Sequence, residues 1–221
     1  MSLQDKLDAF KADFEGTKAP PHVVELFHRT TADLVATGQA ERALKAGDRA
    51  PSFSLPDADG TIVSSAERLA KGPIALTFYR GAWCPYCNID LQALEAEAAN
   101  IRALGASIVA ISQQTPPNSR KIQATHALSF PILSDHGGEI GAAFGLRWSL
   151  PDDLKALMGA FGIDLAIVNG EPSWTLPMPA RYVIAQDGAI AYAEVNADYT
   201  IRPDPSELLP ALRSLRRSAA A

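Results

Sequence analysis

Cysteine is scarce: the 221 residues contain 2, Cys84 and Cys87. A pair three residues apart cannot staple a domain of this size, which excludes the disulfide framework of a small secreted protein. The opening MSLQDKLDAFK carries acids inside its only apolar stretch, so it does not read as a signal peptide. Together these features point to redox-active thiols in a reducing cytoplasm. No run approaches the roughly 18 consecutive apolar residues of a membrane span. Neither sign of charge dominates: 20 basic and 25 acidic residues are intermixed for a net −5, which suggests neither nucleic acid nor an anionic membrane as partner. Histidine is sparse too. His22, His28, His126 and His136 are scattered, with no second CxxC to complete four zinc ligands, so no metal is expected. There is no internal repeat and no low-complexity linker. What remains, 47% hydrophobic residues over this length, can fill a proper core in one to one-and-a-half domains.

The cysteines sit at the most informative place in the chain. Ile74-Ala75-Leu76-Thr77-Phe78-Tyr79 is a nearly all-apolar run of strand formers, with Thr77 read as part of the core strand. After it, Cys87, Leu91, Leu94, Ala98 and Ile101 repeat at helical spacing. Cys84 therefore falls where a buried strand ends and a helix begins, with Pro85 at the first helical position. A free thiol titrates near 8.5, and unpaired N–H groups at a helix N-terminus favour its anion. Cys84 is thus expected to be the ionised, exposed nucleophile. Cys87, one turn inside on the apolar stripe, is expected to resolve it by closing a disulfide. Trp83 is expected to shield the sulfur. Tyr86 could donate a hydrogen bond or serve as an exposed spacer.

Around this turn the chain reads as alternating elements. Residues 1–46 form a helical N-terminal extension: Leu3, Leu7, Phe10 and Phe14 lie behind a Ser2/Asp5 cap, and a second helix follows Pro20-Pro21 and closes at Gly38. The extension would be a lid or brace, or else the arm of a homodimer. A hairpin is expected about Asp59-Gly60, then a short helix from Ser64 with Glu67, the central strand, and a long helix to Leu104. Strand 107–112 follows, then a Pro116-Pro117-Asn118 loop with Asn118 as cap, a helix, a strand near 130–133 and a loop shaped by Asp135 and His136. Residues 147–178 read as an insertion. Its helical stripe is Leu154, Leu157, Met158 and Phe161, and a hairpin follows in which Ile163, Leu165 and Ile167 return through Asn169-Gly170. The insertion packs locally or forms a flap over Cys84. A hairpin across Asp187-Gly188 and a helix opened by Asp204, Pro205 and Glu207 complete the chain, with the tail from Arg216 expected to fray.

WCPYC on a strand-to-helix turn resembles the thioredoxin superfamily. Four pieces in order resemble one branch of it, the peroxiredoxin-like proteins of the alkyl hydroperoxide reductase and thiol-specific antioxidant family: Gly47 to Leu55, Phe78 to Cys87, Phe130 to Asp135, and Arg181 to Ile184 with Asp187-Gly188. The resemblance implies an α/β thioredoxin-like domain over 47–215, with a central mixed sheet flanked by helices. It also implies a thiol peroxidase acting on hydrogen peroxide or organic hydroperoxides, recycled by thioredoxin or a glutaredoxin-like dithiol donor, without metal, flavin or haem. Where typical members carry a Pro and a Thr ahead of the reactive cysteine, this chain has Thr77 and Gly81, and the usual late-strand Arg is replaced by Pro179. Pro179 matches the cis-proline that faces the cysteine in thioredoxin-type reductases. Arg80 and Arg181 are the candidate cations for the peroxide anion. Two rivals stay open: a general thiol–disulfide oxidoreductase, and a non-catalytic redox-sensing or interaction module.

Overall fold

The computed structural model describes residues 1–219. Helix α1 (Leu3–Asp13) starts on the expected capping box, in which the Ser2 hydroxyl accepts from the Asp5 N–H and the Asp5 carboxylate accepts from the Ser2 N–H. A π-helical turn (Phe14–Lys18) leads to α2 (Pro21–Ala36), and a left-handed Gly38 separates it from the short α3 (Gln39–Arg42). Strands β1 (Ser54–Pro56) and β2 (Ile62–Ser64) pair antiparallel across Asp59-Gly60, and the Ser64 hydroxyl caps α4 (Ser65–Leu69). The central strand β3 (Ile74–Phe78), the long helix α5 (Pro85–Ala103) and strand β4 (Ser107–Ser112) form a parallel crossover unit.

Beyond β4 two expectations are corrected. Pro116-Pro117 does not make a loop but opens α6 (Pro116–Thr125), because proline fits the first helical positions. Thr115 takes the cap position, and Asn118 donates instead to the Thr115 hydroxyl and the Val168 carbonyl. Strand β5 (Ile132–Ser134) follows, then α7 (Glu139–Ala143), whose start is fixed by Asp135 accepting from the Ile140 and Gly141 N–H groups. In the insertion, β6 (Arg147–Ser149) leads to α8 (Asp152–Ala160) on the expected stripe. The hairpin is absent. Residues Leu165–Asn169 form helix α9, with the Asp164 carboxylate accepting from the Ala166 N–H at its start and left-handed Gly170 at its end. A short apolar run has no decisive period, and its caps decide the outcome. Trp174 and Leu176, which a hairpin through Asn169-Gly170 would place on its return arm, pair elsewhere: β7 (Thr175–Pro177) lies antiparallel to β6, so a two-stranded ribbon brackets the two helices.

Strands β8 (Ala180–Ile184) and β9 (Ile190–Val195) form the closing hairpin. A 3-10 turn capped by Asp204 and Glu207 leads into α10 (Leu208–Ala219). That helix continues through Arg216–Ser218, where fraying was expected; residues 220–221 lie outside the described residues.

The main sheet runs β5-β4-β3-β8-β9, with the first three strands parallel to one another and β8 and β9 antiparallel to their neighbours. Strand alternation divides the core. Ile74, Leu76, Phe78, Tyr182 and Ile184 meet Phe53, Val63, Phe144 and Leu34 on one face. Ala75, Tyr79 and Val183 meet α5, α1 and α10 on the other. The N-terminal extension braces this second face: Leu3 and Leu7 are buried, and Phe10 packs edge-on to Tyr86 with ring centroids 5.0 Å apart. Helix α2 lies on the insertion, where Phe27 stacks on Phe161.

One ion pair crosses the core. Thr77 and Arg181 are register partners on β3 and β8, so both face α5. The Arg181 guanidinium donates to the Asp90 carboxylate and the Pro203 carbonyl, with both ionic side chains under 5% exposed. Removing one partner of a buried pair leaves an uncompensated charge, at a cost of about 3–5 kcal/mol. Asp90→Ala should lose about that much stability in urea unfolding; a change below about 1 kcal/mol would show that the pair does not hold α5 to the sheet.

Candidate active site

β3 delivers the chain to a tight turn at the N-terminus of α5. Cys84 is the residue before the helix, its N–H donating to the Gly81 carbonyl at 3.1 Å, and Pro85 is the first helical residue. The turn is held from the segment just after β4: the Ala82 N–H donates to the Gln114 side-chain oxygen at 2.9 Å. The Gln114 amide nitrogen donates to the Tyr79 hydroxyl at 2.7 Å. Glycine is strongly favoured at position 81. Its φ of +150° is one that L side chains avoid, and a Cβ would stand 2.5 Å from the Trp83 indole nitrogen. A threonine at this position, as in typical peroxiredoxins, would collide with Trp83.

The cysteines are free, but Cys84 is not the exposed thiol anticipated: it is 2% exposed and Cys87 is 0% exposed. The fold closes over the turn, because α1 brings Phe10 and the 198–204 loop brings Tyr199 edge-on to Tyr86. Tyr86 is therefore a buried packing residue rather than an exposed spacer. Burial alone would push the Cys84 thiol up. Hydrogen bonding from Cys87 and the positive charges of Arg80 and Arg202 more than offset that, and its pKa falls to about 6. Cys87 is driven the other way, well above its ordinary value, by burial and by donating to the neighbouring sulfur.

The cations differ from those expected. Arg80 is in place: buried, its guanidinium lies 4.1 Å from the Tyr199 ring centroid and 4.9 Å from that of Trp83. Arg181 points to the correct side of the sheet, yet Asp90 captures it, so it does not serve the sulfur. Arg202 lies beside the thiol pair instead. It is buried, and its Nη2 donates to the Cys87 sulfur at 3.5 Å. Nothing in the local sequence Thr200-Ile201-Arg202-Pro203 marks this arginine, which lies 115 positions from Cys87. The sequence signal for Asp90 is weak: it lies three and four positions from Cys87 and Leu94 on the stripe of α5, but Glu97 stands in the same relation to Leu94 and Ile101 without being buried.

Pro179 is trans: no peptide bond among the described residues is cis, which corrects the cis-proline expectation. It still lies near the site and lines two small cavities, one with Arg80 and Tyr199, the other with Thr77 and Arg202. Trp83 packs against the cluster of α8, α9 and β7 side chains, so the insertion rests on the cysteine turn through this ring. Helix α1 ties down the loop that carries Tyr199 and Arg202. Gln4 donates to the Thr200 carbonyl and accepts from the Arg202 N–H, while the Leu3 N–H donates to Asp204.

Two outcomes follow from this geometry. Cys84 is depressed in the folded protein, so its thiolate persists above about pH 6 and is lost as the pH falls through that value. Iodoacetamide alkylation of Cys84 in the reduced protein should show a midpoint near 6; one near 8.5 would mean the arginines do not act on the sulfur. Gly81→Ala should cost roughly 1–3 kcal/mol in urea unfolding through forced repacking of Trp83, and a neutral substitution would refute the close approach.

Residues 46–193 match the model of the AhpC/TSA family. Over 185 residues the chain is 26% identical to the chloroplastic peroxiredoxin Q of Triticum aestivum, covering 84% of this chain and 75% of the relative. It is 31% identical over 103 residues to peroxiredoxin Bcp of Escherichia coli, covering 47% and 65%. Among solved structures, peroxidoxin BcpB from Mycobacterium tuberculosis superposes with a TM-score of 0.61 at 24% identity, covering 79% of this chain and 97% of that one. The family match spans both cysteines, the sheet and the closing hairpin, and the chain belongs to the AhpC/TSA family of peroxiredoxin-type thiol peroxidases.

Proposed function

We propose that Cys84 is the peroxidatic sulfur and that Cys87 resolves it. The observation that carries this reading is a buried pair of sulfurs at a helix N-terminus beside two buried guanidiniums, a setting that holds the Cys84 pKa down to about 6. The Cys84 thiolate attacks the distal oxygen of the peroxide, the O–O bond breaks, and the leaving alkoxide or hydroxide takes a proton. Arg80 and Arg202 stabilise the negative charge as it passes to oxygen, in place of the threonine hydroxyl and late-strand arginine of typical members. Cys84 becomes a sulfenic acid. The Cys87 sulfur, one helical turn on, displaces its oxygen as water and closes the disulfide. An external dithiol of the thioredoxin or glutaredoxin type then takes the disulfide by exchange.

The peroxide is approached from the side of α2 and the insertion. There a narrow cleft lined by Phe27, Leu34, Leu154, Met178, Pro179 and Tyr199 reaches Arg80. The insertion is thus part of the substrate wall, with Trp83 beneath it. Tyr86 contributes packing. The general oxidoreductase reading retains the WCPYC turn and Pro179 in its favour, while the extended loops and the family match speak against it. A cytoplasmic setting is part of the proposal, supported by the free CxxC pair; no helix among the described residues is long and apolar enough to cross a membrane.

Stopped-flow oxidation by hydrogen peroxide or an organic hydroperoxide tests the assignment. Cys84→Ser should abolish it. Cys87→Ser should keep the first oxidation and halt at the sulfenic acid, trapped by dimedone. Arg80→Met should slow the reaction at pH 7 by about 10²–10³, the usual cost of losing one donor to a developing anion. A wild-type rate no faster than that of a free low-pKa thiol would reject peroxidase specialisation.

A further inference from the structure

Arg80 and Arg202 are two buried positive charges with no carboxylate to balance them. Among the described residues no acid lies within salt-bridge distance of either. Asp90, which lines one cavity with Arg202, is held by Arg181, and Glu194 on the same cavity is partly exposed, its carboxyl pushed up by burial. Arg202 has one polar contact through its side chain, to the Cys87 sulfur, and its Nε and Nη1 find no partner. The Nε of Arg80 is also unpartnered. Burying an unpaired guanidinium is costly, so an anion placed among these groups is strongly favoured. The cysteine pair supplies that anion in one redox state. The dithiol form holds a thiolate; the disulfide form holds no charge and leaves both arginines uncompensated.

We propose that Arg202, with Arg80, biases the Cys84–Cys87 couple toward its dithiol form, so that the oxidised protein is a strong disulfide donor that monothiols of the glutathione class can discharge. The inference rests on the proposed reading of the two cysteines as a thiol–disulfide couple. It goes beyond that reading in assigning the couple's poise to Arg202 and in widening the reductant class. Two monothiols bring two electrons and two protons. The first forms a mixed disulfide as the Cys84–Cys87 bond breaks. The second displaces it, releasing the oxidised monothiol as its own disulfide. One proton stays on Cys87, and the other goes to water because Cys84 remains ionised. With Cys84 titrating at about 6, the thiolate outweighs the thiol about tenfold at pH 7. That ratio multiplies the dithiol side of the equilibrium about tenfold, or about 30 mV for a two-electron couple.

The test is equilibration of the full-length protein with mixtures of reduced and oxidised glutathione at pH 7, with the free thiols trapped and counted by mass. Arg202→Met should shift the equilibrium constant by more than threefold in favour of its disulfide, as its share of the tenfold that Cys87, Arg80 and Arg202 supply together, while Arg202→Lys, which keeps the charge, should shift it by less than that. A shift under threefold in Arg202→Met overturns the proposal. If that variant does not fold, the parent decides: mixed in its disulfide form with equal reduced thioredoxin, it should pass the disulfide to thioredoxin by more than ten to one, and retention of the disulfide overturns the proposal. Neither arm contains peroxide. Sluggish oxidation of Cys84 by peroxide would therefore defeat the peroxidase assignment alone, and an unmoved constant with fast peroxide oxidation would defeat this inference alone.

Discussion

A sulfur anion under a protein surface is tolerated only where positive charge and donors replace the water it has lost. Cys84 is such a sulfur. The compensation comes from the hydrogen bond donated by Cys87, then from the charges of Arg80, four residues upstream, and of Arg202, which reaches in from the far end of the chain. Much of the remaining architecture keeps those two guanidiniums in place. Arg80 is sandwiched between Trp83 and Tyr199. Arg202 rides on a loop stiffened by Asp198, whose carboxylate accepts from both the backbone and the hydroxyl of Thr200.

This gives the N-terminal extension a role beyond packing. Helix α1 carries no chemically reactive group toward the sulfur, yet Leu3 and Leu7 dock it on the α5 face, and Gln4 binds the loop that presents Tyr199 and Arg202. Its Phe10 and the Tyr199 ring close over Tyr86, and so bury the turn between the cysteines. The insertion works from the opposite side. Its helices pack on Trp83, and α8 forms the cleft wall with α2 that leads to Arg80.

The cations beside the sulfurs are not the ones the family resemblance implied. Gly81 stands where typical members carry a threonine, in a backbone conformation and an approach to Trp83 that would strain any side chain. Arg181, which the strand alternation correctly points toward α5, is neutralised by Asp90 and becomes a structural tie. The charge it could have supplied to the sulfur comes from Arg202 instead.

By itself the sequence determined the local elements with strong signals. These were the apolar β3 run, the heptad-like stripe of α5, the capping residues at Ser2, Ser64 and Asp204, the turns at Asp59-Gly60 and Asp187-Gly188, and the placing of Cys84 and Cys87 at a strand-to-helix turn. Each depends on neighbours within a few positions. The alternation over 163–169 suggests a strand, but seven residues carry too little periodicity to outweigh the caps at Asp164 and Gly170. Only the tertiary structure decided that Cys84 is buried, that Arg181 is taken by Asp90, and that Arg202 reaches the thiol pair. Burial and charge compensation are sums over groups brought together from distant positions, and no local pattern in the chain records which of them will meet.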